Sequence, residues 1–571
     1  MDSPSPSDAR GLAAQLAALD DAELEDLLRR RGVSPAAPWR DFFDAAEGLL
    51  EQVSLDRALV RLPRTALVAL AAGSVAEPQR AALTALGLVR PDGTPYRAVA
   101  SRVRELAAAR PDAFRPAPAP SEPAAASDVE EAAAAERAAL SAAALADVLL
   151  AMLTAPLTRT GVGAVSAADR RRIVELGAVS ASDELDELLA AADMAGLALP
   201  AEREWLVTAA GERWLGSSTP ARWAVVAQAF ADGLPDALRG PGGILPPSAW
   251  ENTHPLDPDW PARGALLEAV AARWGLVCPS GAEPGWARRL RTEGRADADA
   301  VAALLPPEID RVYLQADLSA IAPGPLAPAL DLRLRTMATR ESRAQASTYR
   351  FTAESLAAAV GSGETAETLR AFLSEISLTG IPQPLAYLID STASRHGLIR
   401  VSAGDGHTRV DSDDAQALAT LEVDQSVRAI GLVRDGDGLV SRVTRDAVYW
   451  TLVDARYPAV AVDAAGDPEP LRRRRLAPDA PASTHPHDRL LATLRRARET
   501  DTDAAWLGRE LDAAVRARST IIVVAALPDG TTREFTLEAT GLGGGRLRGR
   551  DRGSDTERTL PDSSIVSARP A

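Results

Sequence analysis

Lysine is absent, and all 63 basic residues are arginine. A phosphate-loop nucleotidase needs a lysine to reach the terminal phosphates. A protein kinase needs one on its third strand, and Schiff-base catalysis needs a lysine amine. All three chemistries are excluded in their usual form. Arginine in place of lysine, beside abundant Ala, Gly and Pro, is the composition of a GC-rich genome. Cysteine is almost as scarce. Cys278 stands alone, so no internal disulfide and no CxxC zinc site can form. It has no neighbouring base in sequence and reads as a half-buried thiol in a reducing compartment. Aromatics are 4% of the chain, so its cores must be built on Ala, Leu and Val. The first residues lack the basic and apolar regions of a signal peptide. No run of about 18 apolar residues occurs; Ala139–Leu153 is interrupted by Ser141 and Asp147. The expectation is a cytoplasmic protein, with association to the nucleoid open.

The chain is long, 571 residues, enough for several domains at about 100–200 residues each. It is acidic, with 79 carboxylates and a net charge of −16. Such a surface is a poor overall match for nucleic acid, so any such contact must use a local basic patch.

The pattern predicts a multidomain protein, mainly α with α+β parts. Residues 1–115 read as helical, including one helix over 9–31. At 79–108 a helix, a Pro91–Gly93 turn and a further helix have the order of a winged-helix-like unit. Residues 116–127 (PAPAPSEPAAAS) are a Pro/Ala linker. Residues 128–305 form a second helical region. Its wing comprises two short strands near 195–197 and 205–208. From 306 to 407 strands and helices mix in an α/β domain, with 312–315 strand-like and 318–321 continuing it. A small α/β unit covers 408–466, a second linker 467–487 and helices 488–518. Residues 519–571 carry hairpin signals at Asp529-Gly530 and in the Gly-rich run before Arg546, and predict a small β barrel.

Candidate sites are few. The basic residues Arg170, Arg171 and Arg172 open a helix in the second winged-helix-like region, where a basic helix can enter a DNA groove while the wing touches phosphates. Their bland alternative is a solvated helix face. Arg546, Arg548 and Arg550 follow Gly543-Gly544-Gly545. No helix follows, so a nucleotide loop is excluded. A tight β turn carrying exposed arginines remains, able to touch a nucleic-acid backbone. Arg472–Arg475 and His485-Pro486-His487 read as solvated linker. No histidine cluster has metal-ligand spacing, no Gly-x-Ser-x-Gly elbow is present, and acidic pairs such as Asp413–Asp414 and Glu130–Glu131 read as solvated ends of elements. Neither a cofactor nor a catalytic residue is predicted.

One segment carries a likeness. Val312-Tyr313-Leu314-Gln315-Ala316-Asp317-Leu318, Ile321-Ala322-Pro323-Gly324-Pro325, Ser347-Thr348-Tyr349-Arg350-Phe351-Thr352, Ile381-Pro382-Gln383-Pro384 and His396-Gly397-Leu398-Ile399-Arg400-Val401 follow one another in an order that resembles the XPB helicase N-terminal domain family, a helicase-associated domain. Ala316 and Ser319 depart from that pattern. The helical stretch with Leu176-Gly177-Ala178, Trp205, Trp214 and Arg222-Trp223 is similar to segments that precede this domain in bacterial members. Residues 520–568 resemble the small β module of WYL-type proteins, without the WYL tripeptide. The resemblance implies an accessory domain linked to DNA repair or transcription, separated from any ATPase motor. A non-catalytic DNA-associated protein follows from it. The alternative is a docking scaffold or regulator for protein partners without direct DNA contact, which the negative charge favours; a cryptic nuclease or ATPase using other residues is a third reading. The oligomeric state is left open.

Overall fold

The computed structural model describes residues 6–240, 242–343, 346–404, 406–469, 471, 475–478, 486–500, 503–527 and 531–570. It divides into two units. One joins residues 1–122, 235–267 and 480–571; the other joins 123–234 and 268–479.

The first unit opens with helices Pro6–Ala18 and Asp21–Arg30 in place of the single helix predicted over 9–31. The chain breaks because Asp20 caps the second helix. Its carboxylate accepts from the Glu23 amide at 2.8 Å, and the Glu23 carboxylate accepts from the Asp20 amide at 3.0 Å, a reciprocal cap. Five short helices follow: Phe42–Leu50, Gln52–Val60, Arg64–Ala71, Gln79–Ala85 and Arg97–Ala109. Leu12, Leu16, Leu27, Phe42, Leu49, Leu67 and Val99 form their common core. Leu490, Leu491 and Leu494 of helix Asp488–Thr500 belong to the same cluster, so distant parts of the chain close one core. His487 is correspondingly buried, which corrects its reading as solvated linker. Its Nδ1 lies 2.9 Å from a Glu25 carboxylate oxygen and its Nε2 2.9 Å from the Val33 carbonyl oxygen.

The C-terminal helix Asp503–Arg516 lays Leu507, Leu511 and Ala514 on a five-stranded antiparallel sheet. Its strands are Thr520–Ala526, Thr532–Gly543, Arg546–Asp551, Thr556–Pro561 and Ile565–Pro570. The fourth lies at one edge, followed by the third, second, first and fifth. The predicted barrel is therefore not closed: the two outer strands do not pair with each other. The helix covers Ile521, Val523, Leu537 and Leu547 on the inner face, which removes the apolar drive for the sheet to curl onto itself.

The second unit is built on the helix Asp128–Thr154. Ser127 and Glu130 cap it reciprocally, and Ala134, Ala138, Leu145, Leu149 and Met152 are buried. This helix is long and apolar enough to cross a membrane by length and composition alone, but packing within the unit occupies its apolar face. The chain continues through strand Leu157–Thr158, helices Ala167–Glu175 and Glu184–Met194, and a hairpin of Ala198–Pro200 with Glu204–Val207. The last strand lies between the other two. Helix Thr219–Gly233 buries Trp223, whose indole N–H donates to the Trp274 carbonyl at 2.8 Å.

Next comes a four-stranded antiparallel sheet, in the order Tyr313–Leu314, Ser319–Ala322, Ser347–Arg350, Thr339–Arg343, covered by four helices between Pro328 and Arg395. The sequence predicts one strand running through 312–321. The chain instead reverses at Leu318, which has φ 65°, and Asp317 holds the turn by accepting from the Ser319 amide at 3.1 Å and its hydroxyl at 2.6 Å. A mixed five-stranded sheet follows, with Ile399–Ala403 pairing antiparallel to Thr408–Asp411 and parallel to Ala459–Ala461.

One turn recurs. The Gly93 amide donates to the Arg90 carbonyl and the Arg90 amide to the Thr94 carbonyl. Thr160, Gly163 and Ala164 repeat this, as do Cys278, Gly281 and Ala282. Each glycine has φ between 83° and 86°, a conformation glycine adopts at little cost. All three turns lead into helices, at Arg97, Ala167 and Gly285.

Candidate nucleic-acid interface

The six candidate arginines lie in two places. Arg170, Arg171 and Arg172 belong to helix Ala167–Glu175. This is not the helix that precedes the hairpin. That position is taken by Glu184–Met194, which carries Glu184, Asp186, Glu187 and Asp193 and no arginine. Two of the three arginines are committed within the protein. Arg170 reaches Asp186 at 2.6 Å and the Ser182 carbonyl at 2.8 Å. Arg172 reaches Asp169 at 3.0 Å and the Ala155 carbonyl at 2.9 Å. Asp169 also accepts from the hydroxyl of Ser166, the helix cap, at 2.8 Å and from the Thr158 amide at 2.9 Å. Its carboxyl is held below its usual range by these hydrogen bonds, against an opposing burial effect that is the largest single influence. Arg171 is exposed, and among the described residues its Nε donates only to the Ala167 carbonyl of its own helix. With Arg170 it borders an open depression of about 570 Å³ that also includes Val174, Glu175 and Ser180.

Arg546, Arg548 and Arg550 sit on the strand Arg546–Asp551, where exposed and buried residues alternate. The period of two puts all three guanidinium groups on one face, while Leu547 enters the core. Arg550 is paired with Asp555 through contacts of 2.8 and 3.1 Å, and hydrogen bonding to that carboxylate pushes its pKa up. Arg552 on the following turn pairs with Glu538 at 3.2 Å. Among the described residues, Arg546 and Arg548 have no carboxylate within ion-pair distance. The turn before them is as tight as its glycines predict: Gly544 and Gly545 have φ 61° and 71°. Of the basic run at 472–475, Arg472–Arg474 lie outside the described residues, as does His485; Arg475 pairs with Glu204 at 3.0 Å.

Between Val312 and Asp435 many arginines are paired, while Arg395, Arg428 and Arg434 are exposed with no ion pair among the described residues. Arg333 pairs with Glu364, Arg350 with Glu341, Arg370 with Asp390, Arg400 with Asp413, and Arg409 with Asp411 and Asp437. A buried network joins its first helix to the long helix of the unit. Asp147, 5% exposed, accepts from Arg335 at 2.6 Å and from Arg340. Asp331 stands 3.6 Å from Arg335 and accepts from the Tyr349 hydroxyl at 2.6 Å. Burial and this carboxylate push the Tyr349 phenol far up. The sequence reading missed the network because its members are scattered from 147 to 349.

Residues 312–435 match the family model described as the helicase conserved C-terminal domain. The match begins at the buried Val312, takes in the four-stranded sheet and its helices, and runs past Val401 to strand Val433–Asp435. This segment, about a fifth of the chain, is thus similar to a helicase-associated domain. No curated protein matches the chain.

Proposed function

We propose that this chain is a non-catalytic, helicase-related protein that associates with DNA or with a DNA repair or transcription partner. The observation that carries the reading is the helicase-type domain at 312–435 in a chain without a single lysine. A helicase motor draws its power from a phosphate loop whose lysine reaches the nucleotide's terminal phosphates, and this chain supplies none. The finer assignments belong to the same reading: an XPB N-terminal-like domain, winged-helix-like units before it and a WYL-like sheet after it. Support for a winged helix at 128–207 comes from the element order of helix, strand, two helices and hairpin, with the last strand central.

A second reading, a docking scaffold without DNA contact, is favoured by one observation. In a winged helix the helix before the hairpin reads the groove, and here that helix is acidic. Fluorescence anisotropy with duplex, forked and single-stranded DNA, run beside an ATP-turnover assay, separates the readings. DNA binding without ATP hydrolysis supports the first. No binding even at low salt, with a stable protein partner in pull-down, supports the second. Hydrolysis of ATP or DNA contradicts both.

A further inference from the structure

Within the DNA-associated reading, on which this step rests, we infer that the nucleic-acid phosphate backbone lies across the outer face of the C-terminal sheet at the 541–548 hairpin, held by Arg546 and Arg548. Both side chains are exposed on the same face, about 7 Å apart along the strand at a rise of about 3.4 Å per residue. Their register neighbours are uncharged. Arg546 stands between Gly543 and Pro561, and Arg548 between Gly541 and Thr559. A Cβ added at Gly541, Gly543 or Gly544 would meet nothing within 4 Å, so the surface beside the two guanidinium groups is bare backbone that a chain of phosphates can approach closely. One rung further along, Arg550 sits between Glu538 and Glu557 and is spent on Asp555. The free positive charge therefore ends at Arg548. The Asp562 carboxylate lies near Gly545 at the turn and forms no ion pair with Arg546 among the described residues.

Nucleic acid fits this face better than a protein does. A protein partner wants an apolar, well-packed centre for its interface, and Gly541, Gly543, Thr559 and Pro561 offer no pocket for side chains. A phosphate backbone needs only fixed cations and an unobstructed approach. The contact is therefore independent of base sequence. Arg171 is the comparison: also exposed, but a single cation with Glu175 four residues on along the same helix.

The test uses the full chain, with R546E/R548E and R171E variants, in anisotropy against a labelled duplex and a labelled single strand over a salt series. The charge reversal is expected to weaken binding about 10-fold or more at moderate salt and to flatten the log K against log salt slope by about 2, the signature of two lost phosphate contacts. R171E stays within about threefold of the parent, on the same reasoning. Thermal unfolding of R546E/R548E is unchanged, because among the described residues the two guanidinium groups make no hydrogen bond or ion pair. DNA binding by the parent that R546E/R548E leaves intact overturns this assignment while sparing the function proposed above. Failure of the parent to bind DNA overturns both. Binding of an acidic peptide to this face in place of DNA also overturns the assignment.

Discussion

The Asp147 network gives the sharpest energetic prediction. Its carboxylate is 5% exposed and is shared by Arg335 and Arg340, whose side chains are 23% and 15% exposed. Asp147→Ala leaves two guanidinium groups facing a cavity, with Asp331 the remaining carboxylate, at 3.6 and 3.9 Å. Removing one partner of a buried ion pair costs about 3–5 kcal/mol. The partial exposure of both arginines admits water to screen them, so the lower end, about 3 kcal/mol, is the expected loss. Because a two-unit chain need not unfold in one step, hydrogen exchange is the better assay. Helices Asp128–Thr154 and Pro328–Met337 should lose protection together. A double-mutant cycle with Arg335→Ala isolates the pair, and a coupling of about 1 kcal/mol or more is predicted. Additive effects, or undiminished protection of both helices in Asp147→Ala, would refute the argument that this network clamps the helicase-type domain to the long helix.

Other predictions concern stability and pH. Burial pushes Glu510 up to about 7, with Arg10 only partly opposing it. The folded state then holds a proton that the unfolded state releases, so stability falls as pH rises from the usual glutamate range through about 7; Glu510→Gln should flatten a melting-temperature profile across that window. Trp223→Ala should cost about 3–5 kcal/mol and strip hydrogen-exchange protection from helix Thr219–Gly233, because it empties a fully buried site and orphans the Trp274 carbonyl. Gly211→Ala should lower the melting temperature although alanine favours helix, since its Cβ would strike the Leu197 carbonyl oxygen that holds the hairpin to Thr208.

Local signals were the legible ones. The Gly543–Gly545 turn and the period-two arginines after it are properties of a few adjacent residues, and the sheet keeps them. The reciprocal cap of Ser127 and Glu130 is equally local and was missed. The two linkers were chosen on composition, and composition does not report packing: His487 is drawn into a core by Glu25, more than 400 residues earlier in the chain. The open edge of the C-terminal sheet was invisible because closure depends on what covers the inner face, here helix Asp503–Arg516. The charge run at 170–172 named residue types correctly but not their availability, since Asp169 and Asp186 consume two of the three cations. The recurring turn was readable and missed. Gly87-Leu88-Val89-Arg90-Pro91-Asp92-Gly93 and Gly275-Leu276-Val277-Cys278-Pro279-Ser280-Gly281 repeat one pattern at the level of sequence.

The central claim, a motor-less helicase relative that holds DNA, is tested most directly by measuring the affinity of the full chain for duplex, forked and single-stranded DNA from low to moderate salt. Submicromolar binding to at least one of these is expected at low salt, weakening steeply as salt rises because phosphates supply the contacts, with no ATP consumed. Absence of binding to all three at the lowest salt would contradict it and leave the helicase-type domain as a docking module for protein partners.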